Sequence, residues 1–289
     1  MHATAIAPAN IALVKYWGKR DRALNLPAAG SISVTLGGLE TRTSLRFDDD
    51  LEEDRVTLNG AMDAGTTVRV RRFLQFVRER FDVAFHAHVE TENSFPTGAG
   101  LASSASGFAA LALAVDKALG LDLPPAALSA LARHGSGSAA RSLVDGFAEM
   151  HPGTREDGED AYATQLAAPD ALPLSVVAAI TTTAPKTMSS SEGMEHCRKT
   201  SPYHAAWIGQ VAIDLEAMRT AIAAADLGAV GEIAEHNAMC MHADMLAARP
   251  PVRYWNAGTV TVLDHVAELR TSGTDAWCTI DAGPQVKVL

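Results

Sequence analysis

Hydrophobic and polar positions alternate with a period of two through much of the first 60 residues. Ile32, Val34 and Leu36 are interleaved with Ser33 and Thr35, and Thr41, Thr43, Leu45 and Phe47 resume the rhythm beyond Gly37–Gly38. Successive side chains of a strand point to opposite faces, so the pattern predicts two strands joined as a hairpin at the glycines. Val56–Leu58 before Asn59–Gly60 predicts a further strand closed by a tight turn. The spacing then changes. From Thr67 to Phe81, Phe73, Leu74 and Val77 form an apolar stripe with arginines at other positions, which predicts a helix. Phe85, Ala87 and Val89 alternate with His86, His88 and Glu90, a strand pattern once more.

Pro and Gly punctuate the segment from Ser94 to Gly100, and a long apolar helix is predicted from there to Gly120. Pro124–Pro125 opens another helix running to about His134, and the Gly/Ser-rich stretch Gly135–Ser142 reads as a loop leading into helix or irregular structure. Thr154–Asp160 is acidic and reads as an exposed loop, and Leu174–Thr182 as a buried strand. Pro202–Ala224 and Val230–Ala248 are long helical patterns, the second stopped by Pro250–Pro251. Trp277–Ile280 and Val286–Leu289 are strands around a turn at Ala282–Pro284. Strands cluster early and recur late with helices between them, which is an α+β plan. The Ala/Pro-rich stretch Ala167–Pro173 sets the expected boundary between two lobes, 1–172 and 173–289.

Composition narrows the function classes. With 47% hydrophobic and 20% charged residues in 289, the chain builds an ordinary globular core without staples. Its net charge is -10, and no basic face accumulates, so nucleic-acid binding is not expected. Anions must be met by local cations rather than by the overall field. No apolar run reaches the roughly 18 residues of a membrane span, and the opening residues lack the basic start of a signal peptide. Cys197, Cys240 and Cys278 are odd in number and widely spaced, which suits a reduced, cytoplasmic thiol set.

Four stretches carry candidate chemistry. Pro96-Thr97-Gly98-Ala99-Gly100-Leu101-Ala102-Ser103-Ser104 combines small residues with a helix start. Free N–H groups, a positive dipole end and two hydroxyls suit phosphates, although a Ser-capped helix after a turn has the same look. It is neither a Walker A loop nor GxGxxG. Asn10 and Lys15 are polar within the apolar run Asn10–Trp17, and such a lysine either reaches solvent or meets an anion. Gly135–Ser142 joins glycines and hydroxyls to Arg141, whose planar fork fits a carboxylate or phosphate. Asp281-Ala282-Gly283-Pro284 places a carboxylate at a strand end, a position that turn chemistry also explains. The histidines form no metal pattern: His86 and His88 read as a solvated strand face, and His236 and His242 share no helix face.

Taken together and in this order, these stretches resemble the GHMP superfamily of small-molecule kinases, whose PxxxGLxSSA loop Pro96–Ala105 fits. Within it they resemble the diphosphomevalonate decarboxylases. The resemblance extends over Ala9–Asp21, Asn25–Pro27, Ser31–Leu36, Gly135–Ser142, Ser189–Met194 and Asp281–Pro284. It implies the GHMP kinase fold, with a ribosomal protein S5 domain 2-like N-terminal lobe, a GHMP C-terminal lobe and an active site in the cleft between them. It also implies a homodimeric, cytoplasmic enzyme of the mevalonate pathway that uses ATP and Mg²⁺ to convert mevalonate 5-diphosphate to isopentenyl diphosphate. The alternatives are the same decarboxylation of mevalonate 5-phosphate, or phosphorylation without loss of CO₂.

The resemblance assigns residues as well. Asp281 lies at the 3-hydroxyl as base or orienter, with Lys15 beside it, and Arg141 holds the substrate carboxylate with help from Asn10. Tyr16, Lys19, Ser136, Ser138 and Arg69 bind substrate, the last three and Lys19 at its diphosphate end, with Arg71 or Arg72 as substitutes for Arg69. Ser189 and Ser190 line the cleft. Pro96, Gly98, Gly100, Leu101, Ala102, Ser103 and Ser104 cradle ATP, and Ser104 is the Mg²⁺ candidate. The chain departs from the family pattern at Ala28-Ala29-Gly30, at Ala140 and at Gln285. The first departure puts local contacts to substrate or nucleotide in question.

Overall fold

The computed structural model describes residues 1–95, 103–184 and 186–289. In chain order the first elements are β1 (His2–Val14), β2 (Lys19–Asp21), β3 (Leu26–Pro27), β4 (Ser31–Asp48), β5 (Arg55–Leu58), α1 (Ala64–Phe81), β6 (His86–Asn93), α2 (Ser103–Leu119) and α3 (Pro125–Gly135). A 3-10 helix over Gly137–Leu143 and strands β7 (Phe147–Met150), β8 (Ala163–Ala167) and β9 (Val177–Ala179) follow. The rest is α4 (Ser190–Thr200), α5 (His204–Ala223), α6 (Leu227–Ala247), α7 (Ala257–Thr271), β10 (Cys278–Ile280) and β11 (Val286–Val288).

One six-stranded sheet runs β5-β6-β4-β7-β8, with β1 paired to the long strand β4. Helices α1 and α2 cover one face. Phe73, Leu74 and Val77 from α1 and Phe108, Leu111 and Val115 from α2 pack on Ala5, Ala7, Leu45, Phe47 and Val89. The alanines at 105, 109, 110, 112 and 114 are buried, and such small side chains let α2 lie close to the strands. A smaller sheet, β10-β11-β9, belongs to the second half of the chain. The two halves share a core. Leu13, Val14, Trp17, Ile32 and Phe147 pack with Trp207, Val211, Leu215, Met218 and Met241.

Three expectations need correction. No hairpin forms at Gly37–Gly38, because β4 runs through both glycines and pairs with β1 on either side of them. The register passes from Pro8↔Glu40 to Asn10↔Thr35, so the surplus residues of β4 form a bulge, with Gly38 at φ +78. Leu174–Thr182 is not a buried strand: only Val177–Ala179 is extended, at the edge of its sheet, and Val177 is 64% exposed. Helices α4 and α7 were not foreseen. Their buried residues are few, Gly193, Met194 and Cys197 in one and Thr259 and Val266 in the other, so no apolar period announces them. Each instead begins with a capping box, Ser189–Glu192 and Asn256–Thr259.

Candidate active site

The end of β1 delivers Lys15 into the junction of the two halves. Its backbone N–H donates to Asn237 Oδ1 at 2.7 Å, and Asn237 donates in turn to Asp214 Oδ2 at 2.6 Å, so α5 and α6 fix where β1 ends. The Lys15 ammonium is buried. It donates to Ala12 O at 2.9 Å and to Asp281 Oδ1 at 2.7 Å. Asp281 leaves the end of β10, 266 positions later in the chain. Its other oxygen, Oδ2, lies 3.0 Å from Lys287 Nζ, a second buried lysine in the middle of β11.

Burial disfavours charge on all of these groups, and their pairing decides the outcome. Burial alone would raise Asp281, yet Lys15 and Lys287 together hold its carboxyl well below the usual carboxylate range. Burial brings Lys15 down to about 8, a fall that Asp281 limits. Arg141 is buried and lowered to about 10, again by burial first, so it stays charged at neutral pH. It donates to Ser31 Oγ and, at 3.4 Å, to Asn10 Oδ1. Asn10 is turned by its own bonds to Ser142 Oγ at 2.7 Å and Ser138 O at 3.2 Å. The arrangement offers one acceptor, Asp281, facing a region of fixed positive charge.

A second cationic group lies beside it. Lys19 Nζ donates to Asn25 Oδ1 at 2.7 Å and Ser191 Oγ at 3.1 Å. Burial, then the charges of Arg22 and Arg72, lower it to about 8. Tyr16 is pushed above its ordinary value by burial, and its hydroxyl lies over Gly137, where a Cβ would come within 2.3 Å of the oxygen. Ser136 and Ser138 on this turn bond each other at 3.2 Å. Arg69 sits apart from the Lys19 contacts: it donates to Gly65 O within α1 and stacks 5.9 Å from the Phe108 ring centroid. Arg72 is the α1 arginine whose charge reaches Lys19, whereas Arg71 is engaged with Glu53 and Asp54.

The chain matches the family model of the diphosphomevalonate decarboxylase-like N-terminal domain over residues 7–163. It matches that of the mevalonate 5-diphosphate decarboxylase C-terminal domain over 176–289. The chain belongs to the diphosphomevalonate decarboxylase family. Among its relatives, the Candida albicans diphosphomevalonate decarboxylase is 37% identical over 99% of this chain and 83% of its own length. The Bos taurus enzyme is 36% identical over 99% and 76%. The crystal structure of mevalonate diphosphate decarboxylase from Staphylococcus aureus superposes with a TM-score of 0.94 at 38% identity, covering 99% of this chain and 87% of that one. A solved complex of MDDEF with MVAPP, AMPPCP and magnesium superposes with 0.95 at 40%, covering 100% and 88%. These matches establish the GHMP kinase fold for this chain.

Within this family frame the structure brings Asn10, Lys15, Arg141 and Asp281 together, and Tyr16, Lys19, Ser136 and Ser138 beside them. Ser189 is the N-cap of α4, with its hydroxyl in the capping box, and Ser190 is the first residue of that helix. Ser103 and Ser104 open α2, whose first turn carries no acidic residue, so hydroxyls and dipole there suit an anionic phosphate. Pro96, Gly98, Gly100, Leu101 and Ala102 lie outside the described residues. The one close carboxylate triplet among the described residues, Asp48–Asp50, is at the end of β4 remote from Ser31. No helix of the described residues is long and apolar enough to cross a membrane.

Motif reading missed Lys287, Asn237, Ser31 and Lys186. Lys287 is a lysine between two valines in a short strand, a signal of the same kind as Lys15. Lys186 donates to Ala282 O in the turn after Asp281. The departures from the family pattern also find partners. A Cβ on Gly30 would meet Leu215 Cδ1 at 2.9 Å, so α5 fills the space beside it. Gln285 accepts from Thr181 N at 2.6 Å and donates to Thr182 O at 2.5 Å, tying the turn before β11 to the segment after β9.

Proposed function

We propose that this protein carries out the ATP-dependent decarboxylation of mevalonate 5-diphosphate to isopentenyl diphosphate. The Lys15–Asp281 pair, 2.7 Å apart, with Lys15 buried, Asp281 half-buried and Arg141 facing it, carries the reading. Arg141, turned by Asn10 and Ser31, binds the substrate carboxylate. Lys19 and Tyr16, with Ser136, Ser138 and an α1 arginine, bind the diphosphate end. Asp281 accepts a hydrogen bond from the 3-hydroxyl, aligns its oxygen for attack and takes its proton as the phosphoryl group transfers, and Lys15 keeps that carboxylate ionised beforehand. Bound ATP with Mg²⁺ would supply the phosphoryl group, with ADP as the leaving group; Ser103 and Ser104 at the start of α2 would hold its phosphates, with Ser104 as the candidate Mg²⁺ contact.

Phosphorylation turns a poor leaving group, hydroxide, into a good one. The C3–O bond then breaks, phosphate departs with its electron pair, and the C1–C2 electron pair becomes the C2–C3 double bond as CO₂ leaves. Arg141 holds the carboxylate in place until C1–C2 cleavage, which relieves the developing positive charge at C3. The enzyme works in the cytoplasm as a homodimer.

The test is simultaneous measurement of ADP and CO₂ with ATP, Mg²⁺ and either mevalonate diphosphate or mevalonate 5-phosphate. Equal amounts of both products from the diphosphate are expected. Preference for the monophosphate would change the substrate, and ADP without CO₂ would reduce the protein to a kinase.

A further inference from the structure

Lys15 occupies only one of the two carboxylate oxygens of Asp281. The other, Oδ2, is held by Lys287 at 3.0 Å. Lys287 lies at the centre of β11, between β10 and β9, paired with Thr279 on one side and Ala178 on the other. It is 1% exposed, in a strand whose neighbour Val286 is fully buried. A buried lysine costs several kcal/mol unless a counter-charge meets it, and an apolar residue of similar volume would serve a sheet centre at least as well for stability. The lysine is therefore better explained by its partner than by the sheet. An Asp side chain is broad and two-fold about its last torsion. A single hydrogen bond leaves the carboxylate plane free to turn, whereas two cations on opposite oxygens fix it.

We propose that Lys287 is a positioning residue for the decarboxylation, holding Asp281 Oδ2 so that the carboxylate is ionised and fixed in plane opposite the reacting hydroxyl. This rests on the decarboxylase reading above. The charged and titratable groups facing Asp281 come from five parts of the chain: Lys15 just after β1, Lys287 of β11, Lys186 of the segment after β9, Arg141 of the 3-10 helix and His242 of α6. His242 is buried, and burial first, then Lys15, lower it to about 4, so it remains neutral over the working range. Lys287 thus supplies half of the direct ion pairing to Asp281, and its removal leaves Lys15 as the one cation in contact.

The experiment compares wild type, Lys287→Met and Lys287→Arg by ADP and CO₂ release between pH 5 and 9. A wild type that releases no CO₂ from mevalonate diphosphate defeats the decarboxylase reading itself, separately from the role of Lys287. With an active wild type, Lys287→Met is expected to lose kcat by ~10–100-fold with KM for the diphosphate within about threefold of wild type. No acidic limb from Asp281 is expected within this range in wild type, because two cations hold it ionised, so the loss appears in kcat at every pH rather than in KM. Lys287→Arg keeps the cation and should recover most of the kcat. A folded Lys287→Met protein with wild-type kcat, or a loss that Lys287→Arg does not recover, overturns the proposal. Should Lys287→Met not fold, Lys287→Gln is read by the same limits. Wild type gives a readout independent of any variant: a kcat that falls toward acid with an apparent pKa above about 5 would overturn the proposal, since two cations keep a carboxylate ionised there.

Discussion

At the residue scale, the site sets the buried cations Lys15, Lys287 and Arg141 around a half-buried carboxylate, Asp281. Asp281→Asn removes the acceptor and turns an amide N–H toward a lysine. On the proposed reading turnover should fall by ~10²–10⁴-fold, while KM for mevalonate diphosphate changes little, because the cations of Arg141 and Lys19 remain in place for the two ends of the substrate. Steady-state assays of ADP release read both numbers. A pH dependence follows from the two lysines near 8. Lys15 and Lys19 are cations below that value and lose their protons above it, so kcat/KM should decline as pH rises through about 8. The substrate's anionic groups favour protonated Lys19 in the complex, so the decline in kcat should lie at higher pH than that in kcat/KM. Coincident limbs in the two profiles would contradict this account.

These residues were legible to different degrees. Asn10, Lys15, Arg141 and Asp281 stand out as polar groups in apolar or Gly-rich surroundings, and joint motif order gave them roles. Lys287 carries the same local signal, yet a strand of three residues at the end of the chain did not reveal that both of its edges are paired. Asn237 lies in a helix that also carries Glu232, Glu235 and His236, where one amide looks like any surface polar group until its partners, Lys15 N and Asp214, are known.

At the element scale, packing overrules local preference. Gly231 lies in α6, where Ala is the better helix former by about 1 kcal/mol. A Cβ there would come within 2.1 Å of the buried Trp277 ring, which has no flexible end to yield. Gly231→Ala should therefore destabilise, by ~1–3 kcal/mol, and the urea midpoint measures the sign. A rise in midpoint would mean that the ring is free to move. The same contest explains the misread elements. The alternating pattern at Ile32–Leu36 and Thr41–Phe47 is correct, but the partner of both stretches is β1, and its 13 residues are long enough to pair with each. Two glycines that read as a turn thus became a bulge. The apolar stretch Leu174–Thr182 lies at a sheet edge, because its neighbour β11 is shared with β10 and no strand covers its far side.

At the scale of the whole molecule, the two halves are joined by one apolar cluster rather than by a thin contact. Trp17, Ile32 and Phe147 from the first half are buried against Trp207, Val211 and Leu215 from the second. Far-UV circular dichroism and tryptophan fluorescence should therefore report one coincident urea transition, and a fragment ending at Leu172 should expose this surface and bind a hydrophobic dye. Two separated transitions would show that the halves fold independently.

The sequence by itself determined which residues are candidates for chemistry and the period of most elements, because alternation, helical spacing and turn residues act over a few neighbours. It also determined the family, since many weak motifs in one order are specific together. Only the tertiary structure decided which strand β4 pairs with, which face of the β9 segment is covered, and that two lysines rather than one hold Asp281. Lys15 and Asp281 are 266 positions apart, and a buried charge is stable only where the fold supplies its opposite.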